Sequence, residues 1–352
     1  MTNSLQPQAP ELAQAIPFLA FEVRHELLLD DARALLTRVF PDWNSEDIEL
    51  KQCKDGITNK LVQCTNAQAN LTVLIRAYGK HTEVIIDRTR ELTNMACLAQ
   101  QGKAPPLYAR FENGLVYGFI PGTVATSEEM GNEQWAPLIA QQLAEWGRVV
   151  VPGDRSPMLF PLLSSWIRDI PETYQDKRIN DLFHRHFSVE MLEKETVRLR
   201  ELLAAVDSPV VFAHNDLLSG NIVMSEAKDR VSFIDYEYAT YNYRGFDIAN
   251  HFNEYAGFEC DYSRYPAKEA QLRWFRAYLE HIHLDASPEA LERMYTEVST
   301  FRLASHVYWG VWALVQAAIS DIDFDYMDYA RMRFEKYYED KRQILERGPN
   351  KI

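Results

Sequence analysis

Apolar positions recur at two different periods along this chain, and the change of period divides it. A first helix is predicted over about Glu26 to Phe40, where leucines return at helical spacing. From about Ile48 to Pro121 the pattern is mainly that of strands. Leu71-Thr72-Val73-Leu74-Ile75-Arg76-Ala77-Tyr78 is rich in branched and aromatic residues and stops at Gly79, as a strand does. Thr89 to Gln101 is polar with spaced Leu92, Met95 and Leu98, which predicts one helix among the strands. Leu107–Phe111 and Leu115–Ile120 flank Glu112-Asn113-Gly114, a hairpin turn. From about Gly122 onward the period is helical, over Gln134–Val149, Glu190–Val206 and several stretches after Phe246. One short strand pair interrupts it, Asn221–Met224 and Val231–Ile234 around the polar turn Glu226–Arg230.

Strands followed by helices predict an α+β, two-lobed molecule: a small β-rich N-lobe over 21–121 and a large, mostly helical C-lobe over 122–345. Residues 1–20, rich in Gln, Pro and Ala at their start, are expected as a mobile tail. The proline-containing stretch Val150–Ile179 reads as a surface crossing between helices. Val307–Ile319 is the most apolar segment, but Gln316 interrupts it and it is shorter than the roughly twenty residues of a membrane span. It reads as a buried helix.

Composition removes several function classes. The 352 residues are 47% hydrophobic, ample for a core, and the net charge of −14 argues against a general nucleic-acid or anionic-membrane surface. The four cysteines, Cys53, Cys64, Cys97 and Cys260, have no Cys-x-x-Cys spacing and read as reduced thiols of a cytoplasmic protein. The first residues have neither a basic start nor an apolar run of signal-peptide length, so export is not expected. No Gly-x-x-x-x-Gly-Lys-Ser/Thr loop is present, which argues against a P-loop fold.

The candidate chemistry lies in His214-Asn215-Asp216-Leu217-Leu218-Ser219-Gly220-Asn221, followed after the hairpin by Phe233-Ile234-Asp235-Tyr236-Glu237. A kinase catalytic loop sets an Asp to accept the acceptor's hydroxyl proton, an Asn five residues on for magnesium, and a second metal-binding Asp at the end of a nearby strand. Asp216, Asn221 and Asp235 fit these positions, with His214 as a further catalytic candidate. Magnesium takes oxygen ligands and keeps several waters, so one Asn, one Asp and nucleotide phosphates suffice. A lone His-Asn-Asp reads equally well as a turn; the hairpin, which returns the two metal ligands side by side, favours the phosphoryl-transfer reading. In the N-lobe, Asp55-Gly56-Ile57-Thr58-Asn59-Lys60 could fold over phosphates, although alone it is more often an ordinary hairpin turn. Arg76, on an apolar strand, would reach a phosphate and pair with Glu91 in the following helix; the alternative is a surface ion pair.

With these residues in place the chain resembles the choline/ethanolamine kinase family, within the larger group sharing the protein-kinase and aminoglycoside-phosphotransferase fold. The resemblance runs from about Cys53 to Tyr338 and is most specific from Ile234-Asp235-Tyr236-Glu237 to Asn250-His251-Phe252-Asn253-Glu254. It implies Asp216 as catalytic base, Asn221 and Asp235 as magnesium ligands, and ATP contacts from Arg76 and the Asp55–Asn59 loop, including Gly56, Thr58 and Asn59. It also implies an amino-alcohol site at Asn250, Glu254, Trp309 and Trp312. A cation needs a carboxylate and aromatic faces, and two Trp three apart share one helix face, though on their own they would read as core. The segment Asn250–Gly257 and the Gly56–Lys60 opening resemble the ethanolamine branch; choline kinases more often carry Trp after the Glu and Gln near the position of Leu218. Leu143-Ala144-Glu145-Trp146-Gly147 departs from a frequent Leu-x-x-x-His pattern, and Asp55-Gly56 stands where Gly-Gly is frequent. The expected reaction is ATP-dependent phosphorylation of ethanolamine on the way to phosphatidylethanolamine. Choline kinase or dual activity, phosphorylation of a larger amine such as an aminoglycoside, and a silent binding module of the same fold are the alternatives. A homodimer is left open.

Overall fold

The computed structural model describes residues 9–53, 59–79, 84–320 and 322–347. The chain divides into two compact units, one of Met1–Pro121 with Val151–Gly153 and one of Gly122–Val150 with Asp154–Ile352.

In the first unit, helix α1 (Ala9–Gln14) and strand β1 (Phe18–Leu19) precede helix α2 (Leu28–Val39), strands β2 (Ile48–Cys53), β3 (Asn59–Asn66) and β4 (Leu71–Tyr78), helix α3 (Arg88–Gln100), and strands β5 (Leu107–Phe111) and β6 (Gly114–Gly118). The strands form one sheet in the order β1-β5-β6-β4-β3-β2, with β1 parallel to β5 and the other neighbours antiparallel. Alternation along β4 sends Val73, Ile75 and Ala77 into the core beside Ala32, Leu35 and Leu36 of α2. Arg76, between them, therefore belongs to the opposite face. Asp87 caps α3, its side chain accepting from the backbone N–H groups of Thr89 and Arg90. The expected mobile tail over 1–20 is corrected over its described part: Phe18 pairs with Arg110 and Leu19 with Phe111, so backbone hydrogen bonding orders residues the composition marked as loose.

The second unit begins with β7 (Thr123–Val124) and six further elements before the catalytic segment: α4 (Ser127–Met130), α5 (Trp135–Trp146), α6 (Leu159–Asp169), α7 (Lys177–His186), α8 (Val189–Ala204) and β8 (Val210–Ala213). Strands β9 (Ile222–Met224), β10 (Val231–Phe233) and β11 (Thr240–Tyr243) lead into α9 (Arg244–Asn253), α10 (Lys268–His281), α11 (Pro288–Ile319) and α12 (Tyr326–Arg347). The surface crossing expected over 150–179 is a correction, because α6 occupies its middle and buries Leu159, Phe160, Leu163, Trp166 and Ile167. Pro161 falls in the first turn of that helix, where a missing N–H costs no hydrogen bond. Helix α11, 32 residues long, is buried on all sides from Leu303 to Gln316. Gly310 lets α12 approach, since a Cβ there would lie 2.6 Å from the Phe334 ring. Among the described residues no helix is long and apolar enough to cross a membrane.

Candidate active site

Two antiparallel pairings shape the candidate catalytic segment. β8 pairs with β11 in the register Ala213 to Thr240, and β9 pairs with β10 in the register Ile222 to Phe233. The chain leaves β8 at His214 and immediately turns through Asn215, whose φ of +65° lies in the left-handed region that Asn tolerates better than most residues. Asp247 of α9 holds this turn. Its carboxylate accepts from the backbone N–H of His214 at 2.9 Å and of Asn215 at 2.7 Å. Burial pushes the Asp247 carboxyl up to about 6, and the two N–H donors pull against that shift. The Asn215 side chain donates to the Tyr238 carbonyl at 2.9 Å and accepts from Asn242 Nδ2 at 2.9 Å. Sequence reasoning passed over Asp247, although it lies in the segment most specific to the resemblance.

Asp216 follows the turn and is buried. Asn221 Nδ2 donates to Asp216 Oδ2 at 3.0 Å and to the Asp216 carbonyl at 2.7 Å. Burial raises the Asp216 carboxyl well above its ordinary range, and the neighbouring charges of Asp235, Glu254 and Glu237 add to the shift, while Asn221 opposes it. Opposite Asn221, the N–H of Ile234 donates to the Asn221 carbonyl at 3.0 Å, which puts Asp235 one residue beyond that pairing. Asp235 has φ +62°, a second left-handed residue in the segment. His214 is buried, with Nε2 at 3.0 Å from the Ile234 carbonyl and its ring packed on Trp146 and Phe233. Burial lowers its pKa to about 4, so it stands neutral in the core. Trp146, in the departing Leu143–Gly147 stretch, fills this region by contacting Phe212, His214, Phe233 and Tyr236.

The oxygens of Asn221 and Asp235 are hard donors suited to magnesium. Among the described residues no three His, Cys, Asp or Glu side chains gather as a self-contained metal cage. Such a pair fits a cation that completes its shell with phosphate and water.

The four residues expected for an amine lie in the same unit. Trp309 and Trp312 of α11 have ring centroids 5.3 Å apart at 75°. Each indole N–H is already engaged, Trp309 with Asn250 Oδ1 at 2.7 Å and Trp312 with the Tyr238 hydroxyl at 2.8 Å. Tyr238, which sequence reasoning did not single out, stands edge to face with Trp309 at 5.2 Å. The Asn250 amide also donates to the Asn215 carbonyl at 3.0 Å, tying this aromatic corner to the turn that precedes Asp216. Glu254 closes α9 and is paired with Arg333 of α12 at 3.0 Å. No spacing in the sequence could have announced that partner, which lies 79 residues on.

In the first unit, Arg76 forms an ion pair with Glu91 that is buried at both ends, so the surface-pair alternative does not hold. Glu91 is shared. Arg88, one turn earlier on α3, donates to Glu91 Oε2 at 2.8 Å and to Asn59 Oδ1 at 3.4 Å, and its guanidinium lies 3.9 Å from the centre of the Tyr78 ring. Arg88 was missed because the sequence offered only one basic strand residue in a kinase-like position. Gly56 and Thr58 lie outside the described residues.

The choline/ethanolamine kinase family model matches residues 50–338. Ethanolamine kinase 2 of Mus musculus is 41% identical over 343 residues, which are 96% of this chain and 88% of that protein. Among solved structures, Plasmodium vivax ethanolamine kinase superimposes with a TM-score of 0.81 at 28% identity, covering 96% of this chain and 95% of that one. Choline kinase from Cryptosporidium parvum gives a TM-score of 0.73 at 25% identity, over 92% and 98% of the two chains. The α+β fold is that of these kinases, and with a match across most of its length this chain belongs to the choline/ethanolamine kinase family.

Proposed function

We propose that the protein phosphorylates ethanolamine with ATP, giving phosphoethanolamine and ADP. The observation that carries this reading is the Asp216 carboxylate, held by Asn221, with its pKa raised first by burial and further by Asp235, Glu254 and Glu237. A carboxylate made more basic by its surroundings is suited to take a hydroxyl proton near neutral pH. Asp216 accepts that proton as the ethanolamine oxygen bonds to the γ-phosphorus and the bond to the ADP oxygen breaks. Asn221 and Asp235 would hold magnesium through their side-chain oxygens, and the ion would supply charge neutralisation for the phosphate oxygens. Arg76, fixed by Glu91, serves a nucleotide phosphate, and Asn59 belongs to the loop assigned to the nucleotide. His214 acts indirectly, through the Ile234 carbonyl beside Asp235.

The amine sits against Trp309 and Trp312 with Glu254 and Asn250 at its edge. A ring face attracts a cation within about 6 Å of its centroid. The ethanolamine assignment is supported by the similarity to ethanolamine kinase 2 and by the Asn250–Gly257 segment. Choline is the second reading, favoured by the two indole faces and by the likeness to a choline kinase. All four cysteines are unbridged, in keeping with a cytoplasmic enzyme. An assay of ADP release with ethanolamine, monomethylethanolamine and choline at matched concentrations tests the reading. We expect the order ethanolamine, monomethylethanolamine, choline; about a tenfold preference for choline would overturn the substrate assignment.

A further inference from the structure

Helix α12 carries a buried cation that the reaction above does not use. Arg333 donates through Nη1 to Glu254 Oε1 at 3.0 Å and to the Tyr329 hydroxyl at 2.9 Å. Through Nη2 it donates to the Ser305 carbonyl at 3.0 Å and to Ser305 Oγ at 2.8 Å. Ser305 Oγ in turn donates to Asn250 Oδ1 at 2.8 Å, the same oxygen that accepts the Trp309 indole N–H. One guanidinium therefore reaches two arms. The first ends on a carboxylate; the second runs through a hydroxyl and an amide to an indole ring and, through Asn250 Nδ2, to the catalytic turn at Asn215.

Packing alone does not call for an arginine here. Burying a guanidinium is costly unless every donor is met, and well-packed hydrophobic side chains often replace buried ion pairs without loss of stability. A hydrophobic residue could not, however, hold a carboxylate and a hydroxyl at fixed angles. The planar fork of Arg does so, and a lysine ammonium does not.

We propose that Arg333 is a positioning residue of the amino-alcohol site, orienting the Glu254 carboxylate through one arm and the Trp309 ring through Ser305 and Asn250. The inference rests on the assignment of Glu254 and Trp309 to the amine. Arg333 engages Oε1, and the ammonium is assigned to the Oε2 side of the carboxylate. The two arms set the angle between carboxylate and ring face, which is the angle a bound amine experiences.

The test uses Arg333→Met, Arg333→Lys, Ser305→Ala and Glu254→Gln in the full chain, with Michaelis constants for ethanolamine and ATP, kcat and thermal midpoints. We expect both Arg333 variants to raise the ethanolamine constant by about tenfold or more and to leave the ATP constant within about twofold. Ser305→Ala, which cuts only the second arm, should raise the ethanolamine constant by about threefold. Lysine keeps the charge, so its failure to rescue would mark the fork rather than neutralisation as the requirement. A folded Arg333 variant with the wild-type ethanolamine constant and only a lower thermal midpoint would overturn the proposal. Should the Arg333 variants not fold, Ser305→Ala decides, and a wild-type ethanolamine constant there overturns it equally. Glu254→Gln separates the two levels of inference: an unchanged ethanolamine constant in that variant would refute the placement of the amine at Glu254 itself, whereas a raised one alongside normal Arg333 variants would refute only the positioning role.

Discussion

Asn221 holds Asp216 twice, at the Oδ2 of its carboxylate and at its backbone carbonyl. The amide assigned to magnesium therefore also fixes the proposed base, and losing either side chain disturbs both tasks. Asp216→Asn is expected to lower kcat by about a hundredfold to ten-thousandfold with ATP binding kept. Asn221→Ala is expected to lower kcat and to raise the magnesium concentration needed for half-maximal rate. Steady-state rates over a magnesium titration check both, and wild-type turnover in Asp216→Asn would remove that residue from the mechanism.

Asp247 is expected to set part of the acid limb of the rate profile. Its ionised carboxylate receives two N–H groups from the catalytic turn, and its pKa stands at about 6 instead of the ordinary 3.8. Below about 6 it takes a proton and gives up one acceptor site, so kcat should fall as the pH drops through 6. An Asp247→Asn enzyme, with one amide oxygen for two donors, should be slow at every pH and lose Asp247's share of that limb, keeping the share that belongs to Asp216. A rate that stays constant from pH 7.5 to 5 would contradict this account.

Glu91 serves two arginines, and its removal takes an ion-pair partner from both. Breaking a buried ion pair from one side costs about 3–5 kcal/mol, because the remaining charge stays buried without compensation. Glu91→Gln should therefore lower the thermal midpoint and raise the Michaelis constant for ATP, while Arg88→Met, which leaves the Arg76–Glu91 pair in place, should do less of each. Equal ATP constants in wild type and Glu91→Gln would detach the pair from nucleotide binding.

Trp312 contributes a ring face and an N–H that can be separated. Trp312→Phe keeps an aromatic face but loses the bond to the Tyr238 hydroxyl; Trp312→Ala loses both. The Michaelis constant for ethanolamine should rise in the order wild type, Phe, Ala, with that for ATP little changed. Parallel increases for both substrates would indicate collapse of the helix packing rather than loss of a cation site.

Much of this arrangement was legible in the sequence because it is local. The Asp216-to-Asn221 spacing lies within one turn, the hairpin that brings Asp235 back is a period-two pattern, and the Trp309–Trp312 pair follows from helical geometry. What could not be read were contacts between distant segments. Arg333 meets Glu254 across 79 residues, and Asp247 reaches back 33 residues to the N–H of His214. Helix α6 was hidden by prolines flanking and opening a segment whose burial only tertiary packing reveals, and β1 was hidden because a two-residue edge strand has no period.

Acid should weaken the fold through its buried histidines. Burial lowers His214 and His251 to about 4 and His306 to about 3, against an ordinary value of 6.5. Between 6.5 and those values the unfolded chain binds protons that the folded chain refuses, so stability is complete above 6.5 and is lost as the pH falls. Each group contributes a slope of up to about 1.4 kcal/mol per pH unit in that window. Asp216 and Asp247 act in the opposite sense, since their raised pKa values make the folded chain the better proton binder below those values. Comparison of variants isolates one term. His306→Gln keeps a polar side chain beside Tyr262 and Asp340 but cannot titrate. Urea midpoints at pH 7.5, 6.5 and 5.5 should fall in the wild type, and between the upper and lower pH the variant should lose about 1.4 kcal/mol less than the wild type does. Identical slopes in the two proteins would mean that His306 takes up its proton in the folded state as readily as in the unfolded one.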